Sequence, residues 1–344
     1  MSDNDLATRA PESDLAEQSA IPGDTVVDQG ASLGVSPLQK SWLETIANDC
    51  AIQEHCRTDR PSPSGATPTG EITKFDDIEV YITKPADYPH APSKLLLLLT
   101  GGTGVHSKNN QLQADKYASE GFLVVMPDQF AGDPATNTTS TAPADSTSSP
   151  SIIEQVKLGI ASVAKSFTID MWLARHTPEK VLPILHRVLT TIKEEYADAY
   201  ANGGGIYAAG YCFGAKYVLL LGSELHQDVV QGQRGPETQA EEGMASLGPM
   251  IKCGAIAHGI LSKSDLEGVK VPTSVVAVEG DPLFPDEVRD AGKKDMEERG
   301  LEHELQVYPG VPHGFAVTGN YEDEGISKAQ KEAFTQMLGW LKAH

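Results

Sequence analysis

A single cysteine stands between two glycines in Gly210-Tyr211-Cys212-Phe213-Gly214, where a strand-like run of residues meets a helix-like run. The letters GGIYAAGY before it are small and strand-compatible, and GAKYVLLLGSEL continues as an apolar helix. A side chain held on so sharp a turn requires a strained backbone, and glycines on either side prevent a Cβ from colliding with the neighbouring strand or helix. The spacing therefore predicts a nucleophile elbow. The alternative is a small cysteine buried in a glycine-rich turn.

Short apolar runs alternate with amphipathic stretches along the rest of the chain. The runs DIEVYITKP, KLLLLLTGGTG and FLVVMPD predict strands before the elbow, and CGAIAHG, PTSVVAVEGD and HELQVYPG predict strands after it. Helical spacing is found in NNQLQADKYASEG, HTPEKVLPILHRVLTTIKEEYADAY, RDAGKKDMEER and ISKAQKEAFTQMLGWLKA. This alternation predicts an α/β fold with a mostly parallel central sheet and helices on both faces.

Two segments differ in composition from this pattern. Residues 1–40 contain seven acidic side chains against Arg9 and Lys40, with few large apolar residues, and are predicted to be a disordered acidic arm. Residues 133–151 are mainly Ser, Thr, Pro and Ala, which predicts a mobile surface loop. We expect residues 41–344 to form a single α/β domain. Within it the 133–151 loop is either an entrance element that gates the pocket or a surface insertion with no role.

The charge balance limits the possible partners. A formal charge of −21 argues against nonspecific binding to nucleic acid or to anionic lipid, which requires clustered Lys and Arg. The sequence shows no secretory signal, and its longest apolar runs, such as LLLLL, are of strand length rather than the roughly 20 residues that span a membrane. We expect a cytoplasmic protein, monomeric or homodimeric, that acts on a small molecule.

The four cysteines do not suggest a disulfide framework or a metal site. None belongs to a CxxC pair, and although Cys50 and Cys56 flank His55, no second pair of ligands follows at a distance. Ordinary reduced thiols are the favoured interpretation there, with zinc as the weaker alternative. Cys253 begins a predicted core strand and is interpreted as apolar filling. No metal and no cofactor are predicted.

An elbow nucleophile should be followed along the chain by an acid and then by a histidine, each after a later strand. Asp281 follows the run SVVAVEG, and His313 follows LQVYPGVP, so the order is nucleophile, acid, base. His313 would take the thiol proton and pass it to the leaving group, and Asp281 would fix its tautomer. Asp286 is a second candidate for the acid, although it lies beyond Pro282 and Pro285, where a helix is predicted to begin.

The glycines of TGGTG follow the early strand but complete neither a dinucleotide fingerprint nor a P-loop, which makes nucleotide binding improbable. In a hydrolase the turn after this strand supplies one oxyanion N–H, and the residue after the nucleophile supplies the other. Gly102 and Phe213 are the predicted donors. His258 ends a strand on the same rim, and either lines the pocket or packs beneath it; Tyr211 and Phe315 are further candidates for the lining.

With these residues in place, the chain resembles the dienelactone hydrolase family of α/β-hydrolases. The resemblance runs from about residue 70 to 344 and is carried by FLVVMPDQFAGDP, GYCFGAKY, VEGDPLFP and PGVPHGFAV, while MWLARHTPE is similar to fungal members. It implies a Cys-Asp-His triad made of Cys212, Asp281 and His313. It also implies hydrolysis of a small ester or lactone through an acyl-thioester on Cys212.

Two positions depart from the bacterial members of that family. Those enzymes have a glutamate in the turn after the early strand, where this chain has Gly101, and an arginine four residues after the catalytic histidine, where this chain has Val317. The hydrolase chemistry carries over, whereas the dienelactone substrate does not follow. The alternative function is a non-catalytic small-molecule binding protein, or a thiol redox sensor, on the same fold.

Overall fold

A computed structural model of the chain describes residues 58–135, 169–224 and 248–344. Contacts divide the chain into two units, residues 1–42 and 43–344, and all described residues belong to the second. The predicted acidic arm at 1–40, most of the 133–151 loop, and the Cys50, His55 and Cys56 group lie outside the described residues.

The central element is one eight-stranded sheet. Strand β3 pairs in parallel with β4 on one side and with β5 on the other, and the parallel pairing continues through β8. The pairs β1–β2 and β2–β4 are antiparallel, and the strand order is β1-β2-β4-β3-β5-β6-β7-β8. The strands are β1 (Glu71–Phe75), β2 (Ile78–Thr83), β3 (Lys94–Leu99), β4 (Phe122–Pro127), β5 (Ile206–Tyr211), β6 (Cys253–Ala257), β7 (Thr273–Val278) and β8 (His303–Tyr308).

Helices cover both faces of the sheet. Over the described residues they are α1 (Lys108–Ala118), α2 (Pro178–Glu195), α3 (Ala197–Gly203), α4 (Phe213–Leu221), α5 (Lys263–Leu266), α6 (Asp286–Glu298) and α7 (Glu324–Ala343), with further helical residues at 169–175. Each side of the sheet has its own apolar core because successive side chains of a strand point to opposite faces. Leu97 of β3 belongs to the core that includes α2 and α4, whereas Leu96 belongs to the core that includes α1 and α7.

The predicted α/β fold with a mostly parallel sheet and helices on both faces is confirmed. Strand β1 was not predicted, because its residues EITKF are mostly exposed at the edge of the sheet and show little apolar alternation. The predicted helix before the elbow is two helices, which meet at Tyr196, where the backbone leaves the helical region at φ −119° and ψ 44°. None of the helices in the described ranges is long and apolar enough to cross a membrane.

Candidate active site

Cys212 occupies the turn between β5 and α4 with a strained backbone, φ 53° and ψ −116°. Positive φ is uncommon for residues other than glycine and has an energetic cost, so it persists only where the surroundings enforce it. The two flanking glycines are required by close contacts. A Cβ on Gly210 would lie 2.7 Å from the carbonyl oxygen of Gly214, and one on Gly214 would lie 2.4 Å from that of Leu99. The strand-turn-helix geometry expected of an elbow is therefore present.

Hydrogen bonds fix the turn to the ends of the two strands beside β5. The Cys212 N–H donates to the carbonyl of Ala257 at 3.1 Å, at the end of β6. On the other side, the Gly214 N–H donates to the carbonyl of Thr100 at 3.0 Å, just after β3. The Cys212 residue itself is only 4% exposed. The thiol is thus held in a nearly water-excluded position at the carboxyl end of the sheet.

His313 and Asp281 form a buried pair in the loops that follow β8 and β7. Nδ1 of His313 lies 2.7 Å from Oδ2 of Asp281, and both side chains are almost completely buried. A carboxylate can only accept, so Nδ1 carries the proton and Nε2 is the nitrogen left for chemistry. Asp286, the other candidate acid, begins α6, where it accepts from Arg289 and from the Gly280 N–H. The structure thus pairs Asp281 with the histidine.

The charge state of His313 reflects its neighbours. Burial alone lowers the pKa of a histidine, because a low-dielectric surrounding disfavours the imidazolium. The charge of Cys212 and the hydrogen bond to Asp281 outweigh burial and raise the pKa of His313 to about 10. Nε2 of His313 is buried, and the charge of Cys212 and a side-chain hydrogen bond with Cys212 both contribute to the raised pKa. Such contacts often tighten only when substrate binds.

The predicted oxyanion donors are at the start of α4 and in the turn after β3. Phe213 is the first residue of α4, and the first N–H groups of a helix have no partner within it. Gly102 lines the same pocket as Cys212, in the turn after β3. Its neighbour Gly101 is so close to Cys212 that a Cβ there would lie 3.1 Å from Cβ of Cys212. Any side chain in place of Gly101 would therefore require Cys212 to shift by a few tenths of an ångström.

Most of the side chains that line the pocket around Cys212 belong to polar residue types. His258 is part of it, with its ring centre 5.1 Å from that of His313. Tyr211 and Phe315, two predicted lining residues, lie outside the wall in the described chain and are buried in the core on the α1 and α7 side. The lining residues are Thr58, Asp59, Arg60, Gly101, Gly102, Thr103, Asn109, Asn110, Cys212, His258, Gly314, Val317 and Thr318.

Tyr211 instead takes part in a buried hydrogen-bond chain beside the pocket. Nε2 of Gln113 donates to the Tyr211 hydroxyl at 3.0 Å, and Oε1 of Gln113 accepts from the Thr318 hydroxyl at 2.6 Å and from its N–H at 3.0 Å. The Tyr117 hydroxyl lies 2.9 Å from that of Tyr211. These hydrogen bonds connect Tyr211, the residue before Cys212, with Thr318 in the segment that follows His313.

Two groups of residues at this site were not predicted. Asp59 and Arg60 precede the first strand by more than ten residues, and nothing in their local sequence indicates that they line the same pocket as Cys212. Gln113 is one of several amides in α1, and only the tertiary fold distinguishes it. Cys253, predicted as core filling, is fully buried in β6, and burial raises the pKa of its thiol to about 12. No cluster of potential metal ligands occurs in the described ranges.

The sequence of the chain matches those of a known protein family. The sequence profile of the dienelactone hydrolase family matches residues 78–232 and 242–344. The hydrolase tropI of Talaromyces stipitatus is 29% identical over 282 residues, which cover 82% of this chain and 92% of that protein. Dienlactone hydrolase 1 of Gibberella moniliformis is 26% identical over 279 residues, covering 80% of this chain and 87% of its own.

Solved structures share the fold at low sequence identity. A protein from Klebsiella pneumoniae, described as a dienelactone hydrolase, superposes with a TM-score of 0.56 at 16% identity, covering 80% of this chain and 99% of the other. Esterase 2 of Thermogutta terrifontis, in a form phosphorylated by paraoxon, superposes with a TM-score of 0.51 at 15% identity, covering 80% of this chain and 96% of the other. At these identities the likeness establishes the fold alone.

Proposed function

Because the chain belongs to the dienelactone hydrolase family, we propose that it is a cysteine hydrolase of small carboxylic esters or lactones. The proposal rests on one observation. A strained Cys212 at the start of a helix shares its pocket with the loop that carries His313, and the His313 imidazole is paired with the buried Asp281. A helix N-terminus favours an anion, and the hydrogen bond to Asp281 favours an imidazolium. Both features support a thiolate–imidazolium pair as the resting state.

In the first half-reaction the Cys212 thiolate attacks the carbonyl carbon, forming a C–S bond and moving the π electrons onto oxygen. The N–H groups of Phe213 and Gly102 would donate to this oxyanion, and removing one such donor typically raises the barrier by about 2.7–4 kcal/mol. When the intermediate collapses, the C–O bond to the leaving group breaks. The departing alkoxide takes the proton from Nε2 of His313, leaving an acyl-thioester and a neutral imidazole.

In the second half-reaction a water molecule attacks the thioester carbonyl and gives a proton to Nε2 of His313 as the new C–O bond forms. Collapse breaks the C–S bond and releases the carboxylic acid. The sulfur leaves as thiolate, so the thiolate–imidazolium pair is restored. Asp281 holds the imidazole in the tautomer that this cycle requires, through the bond to Nδ1.

Turnover of p-nitrophenyl acetate and δ-valerolactone by wild type and Cys212→Ala tests this proposal. The variant should lose about 10³-fold or more in kcat, since only binding and the oxyanion donors remain. Cys253→Ala is the matched control, because it removes the other described cysteine from a core strand and should leave kcat close to wild type. Trapping of the acetylated protein by mass spectrometry should find the acyl group on Cys212.

Retained turnover in Cys212→Ala would rule out the cysteine mechanism. If instead the wild type binds lactones without hydrolysing them, the non-catalytic binding function is favoured. Competitive alkylation tests whether Cys212 is a reactive thiolate, as the hydrolase function requires. A thiolate at Cys212 should react with iodoacetamide much faster than Cys253, whose thiol pKa is about 12.

A further inference from the structure

Residues 58–62, here called the strap, lie across one side of the pocket. Thr58, Asp59 and Arg60 are part of the same wall as Cys212. The strap comes before the first strand of the sheet, and the family profile begins to match only at residue 78. Part of the wall that faces substrate is therefore supplied by a segment that the family match does not include.

One part of the strap is fixed to the start of α1. The hydroxyl of Ser107 donates to Oδ1 of Asp59 at 2.7 Å, and the side-chain amide of Asn109 donates to the carbonyl of Arg60 at 2.7 Å. Ser107 is the N-cap of α1, and this helix begins just after the turn that contains Gly102. The strap is thereby anchored beside the predicted oxyanion turn.

The rest of the strap is fixed to the segment that follows His313. The backbone N–H of Asn320 donates to the carbonyl of Pro61 at 2.8 Å, and its side-chain amide donates to the carbonyl of Ser62 at 3.3 Å. The guanidinium of Arg60 lies over the ring of Tyr321, 4.1 Å from its centre. The strap thus connects the two loops that flank Cys212, and this anchoring holds Asp59 and Arg60 in place.

The chemistry of the wall is unusual for a small-molecule pocket, since such pockets are lined mainly by apolar side chains. Val317 is the one aliphatic side chain among the described lining residues, and Asp59 and Arg60 are the one carboxylate and the one guanidinium. The side chain of Asn109 adds a buried amide oxygen that has no hydrogen-bond partner in the described chain. The amide nitrogen of Asn109 donates to the Arg60 carbonyl, and this bond distinguishes the nitrogen from the oxygen. A ligand hydroxyl could donate to that oxygen and remove the cost of leaving it unpaired.

We propose that the strap makes this site selective for small lactones and esters that carry hydroxyl groups beside the scissile bond. Asp59 and Asn109 accept hydrogen bonds from these hydroxyls, and Arg60 donates to them. The proposal rests on the proposed hydrolase function of the same pocket. It assigns substrate selection to residues that take no part in bond making or breaking.

Calorimetry with two hydrolysis-resistant lactams tests the proposal independently of catalysis. Gluconolactam and δ-valerolactam share a six-membered ring and differ in the hydroxyl substituents, so the ratio of their affinities isolates the contribution of the hydroxyls. Wild type should bind gluconolactam more tightly. Asp59→Asn and Arg60→Ala should each weaken gluconolactam binding about 10- to 150-fold, the usual effect of losing a charge-assisted hydrogen bond, and change δ-valerolactam binding less than about twofold. Lys328→Ala, on the exposed face of α7, is the control and should alter neither affinity.

Equal losses for both lactams, or none for either, would overturn the proposal. The iodoacetamide reaction rate of Cys212 in Arg60→Ala, which keeps the backbone bond to Asn109, should stay at the wild-type value, whereas a strap that only holds the loops together would change it. Turnover of δ-gluconolactone and δ-valerolactone by wild type is a separate measurement. No turnover of either would contradict the hydrolase function, while the lactam affinities still decide the role of the strap.

Discussion

His313 donates a hydrogen bond from Nδ1 to Oδ2 of Asp281 across 2.7 Å, and the two residues lie 32 positions apart in loops after different strands. We predict that Asp281→Asn lowers kcat on p-nitrophenyl acetate by about 10³–10⁴-fold, because an amide can donate to Nδ1 and so stabilise the wrong tautomer. Asp286→Asn is the matched control and should keep most of the wild-type kcat, since Asp286 accepts from Arg289 and Gly280 instead. A larger loss in Asp286→Asn than in Asp281→Asn would contradict this assignment.

Removing the thiolate should change the titration of His313. The charge of Cys212 is one of the causes that raise the pKa of His313 to about 10, against the effect of burial. We therefore expect Cys212→Ala to lower this pKa, because Asp281 is then the one remaining cause that raises it against the effect of burial. An NMR titration of the His313 imidazole in both proteins measures the change. An unaltered pKa would mean that the two side chains do not interact.

The same pKa predicts the alkaline limit of activity. In the proposed cycle the imidazolium of His313 gives a proton to the alkoxide leaving group, so the rate should fall as pH rises through the pKa of about 10 and should not fall through this group near neutrality. The pH profile of kcat/KM on δ-valerolactone, whose alkoxide leaving group needs that proton, checks this after correction for spontaneous hydrolysis. A decline that begins near the ordinary histidine pKa of about 6.5 would contradict it.

The turn at Cys212 and the contact between Asp281 and His313 could be predicted because local sequence determines them. Glycines two positions either side of Cys212 are required by contacts with the adjacent strand and helix, and Asp281 and His313 lie in the loops that follow β7 and β8. The carboxyl ends of parallel strands meet at one edge of the sheet, so strand positions alone bring these residues together.

The remaining features depend on contacts between distant parts of the chain. Arg60 is held at the pocket by the bond from Asn109 of α1 to its carbonyl and by the bond from Asn320 to the Ser62 carbonyl, 258 residues away, and no periodicity in the sequence encodes such a path. Tyr211 was expected to line the pocket because it adjoins Cys212, yet alternation along β5 turns its side chain to the core on the α1 side. Strand β1 is an exposed edge strand, so it lacks the apolar pattern by which strands are identified.

Gln113 should position the segment that follows His313. It is buried, and its amide satisfies the Tyr211 hydroxyl on one side and two Thr318 donors on the other. Gln113→Leu removes these partners, and each buried polar group left unpaired typically costs about 1–3 kcal/mol. We expect a lower free energy of unfolding in urea and a slower iodoacetamide reaction of Cys212. Gln111→Leu, in the same helix, is the control: it loses one bond to the Val105 carbonyl and should leave the thiol reactivity unchanged.

Equal thiol reactivity in Gln113→Leu and wild type, together with a lower stability, would limit Gln113 to a structural role. The variant Gln113→Glu sharpens the distinction. A glutamate can still accept from both Thr318 donors, and the Tyr211 hydroxyl can donate to its other oxygen, so most of the thiol reactivity should return.

Gly214, two residues after Cys212, should not tolerate even one added methyl group. A Cβ on Gly214 would lie 2.4 Å from the Leu99 carbonyl oxygen and 2.5 Å from its carbonyl carbon, and both are backbone atoms that cannot rotate away. Gly214→Ala should therefore force the elbow away from β3, lowering the free energy of unfolding by at least about 1–3 kcal/mol. Gly339→Ala is the matched control, since nothing lies within 4 Å of a Cβ there, and this position in α7 should gain about 0.5–1 kcal/mol from the better helix former. Urea denaturation should show a lower free energy of unfolding for Gly214→Ala and a higher one for Gly339→Ala. A Gly214→Ala protein as stable as wild type would show that the close approach of α4 to β3 is not needed.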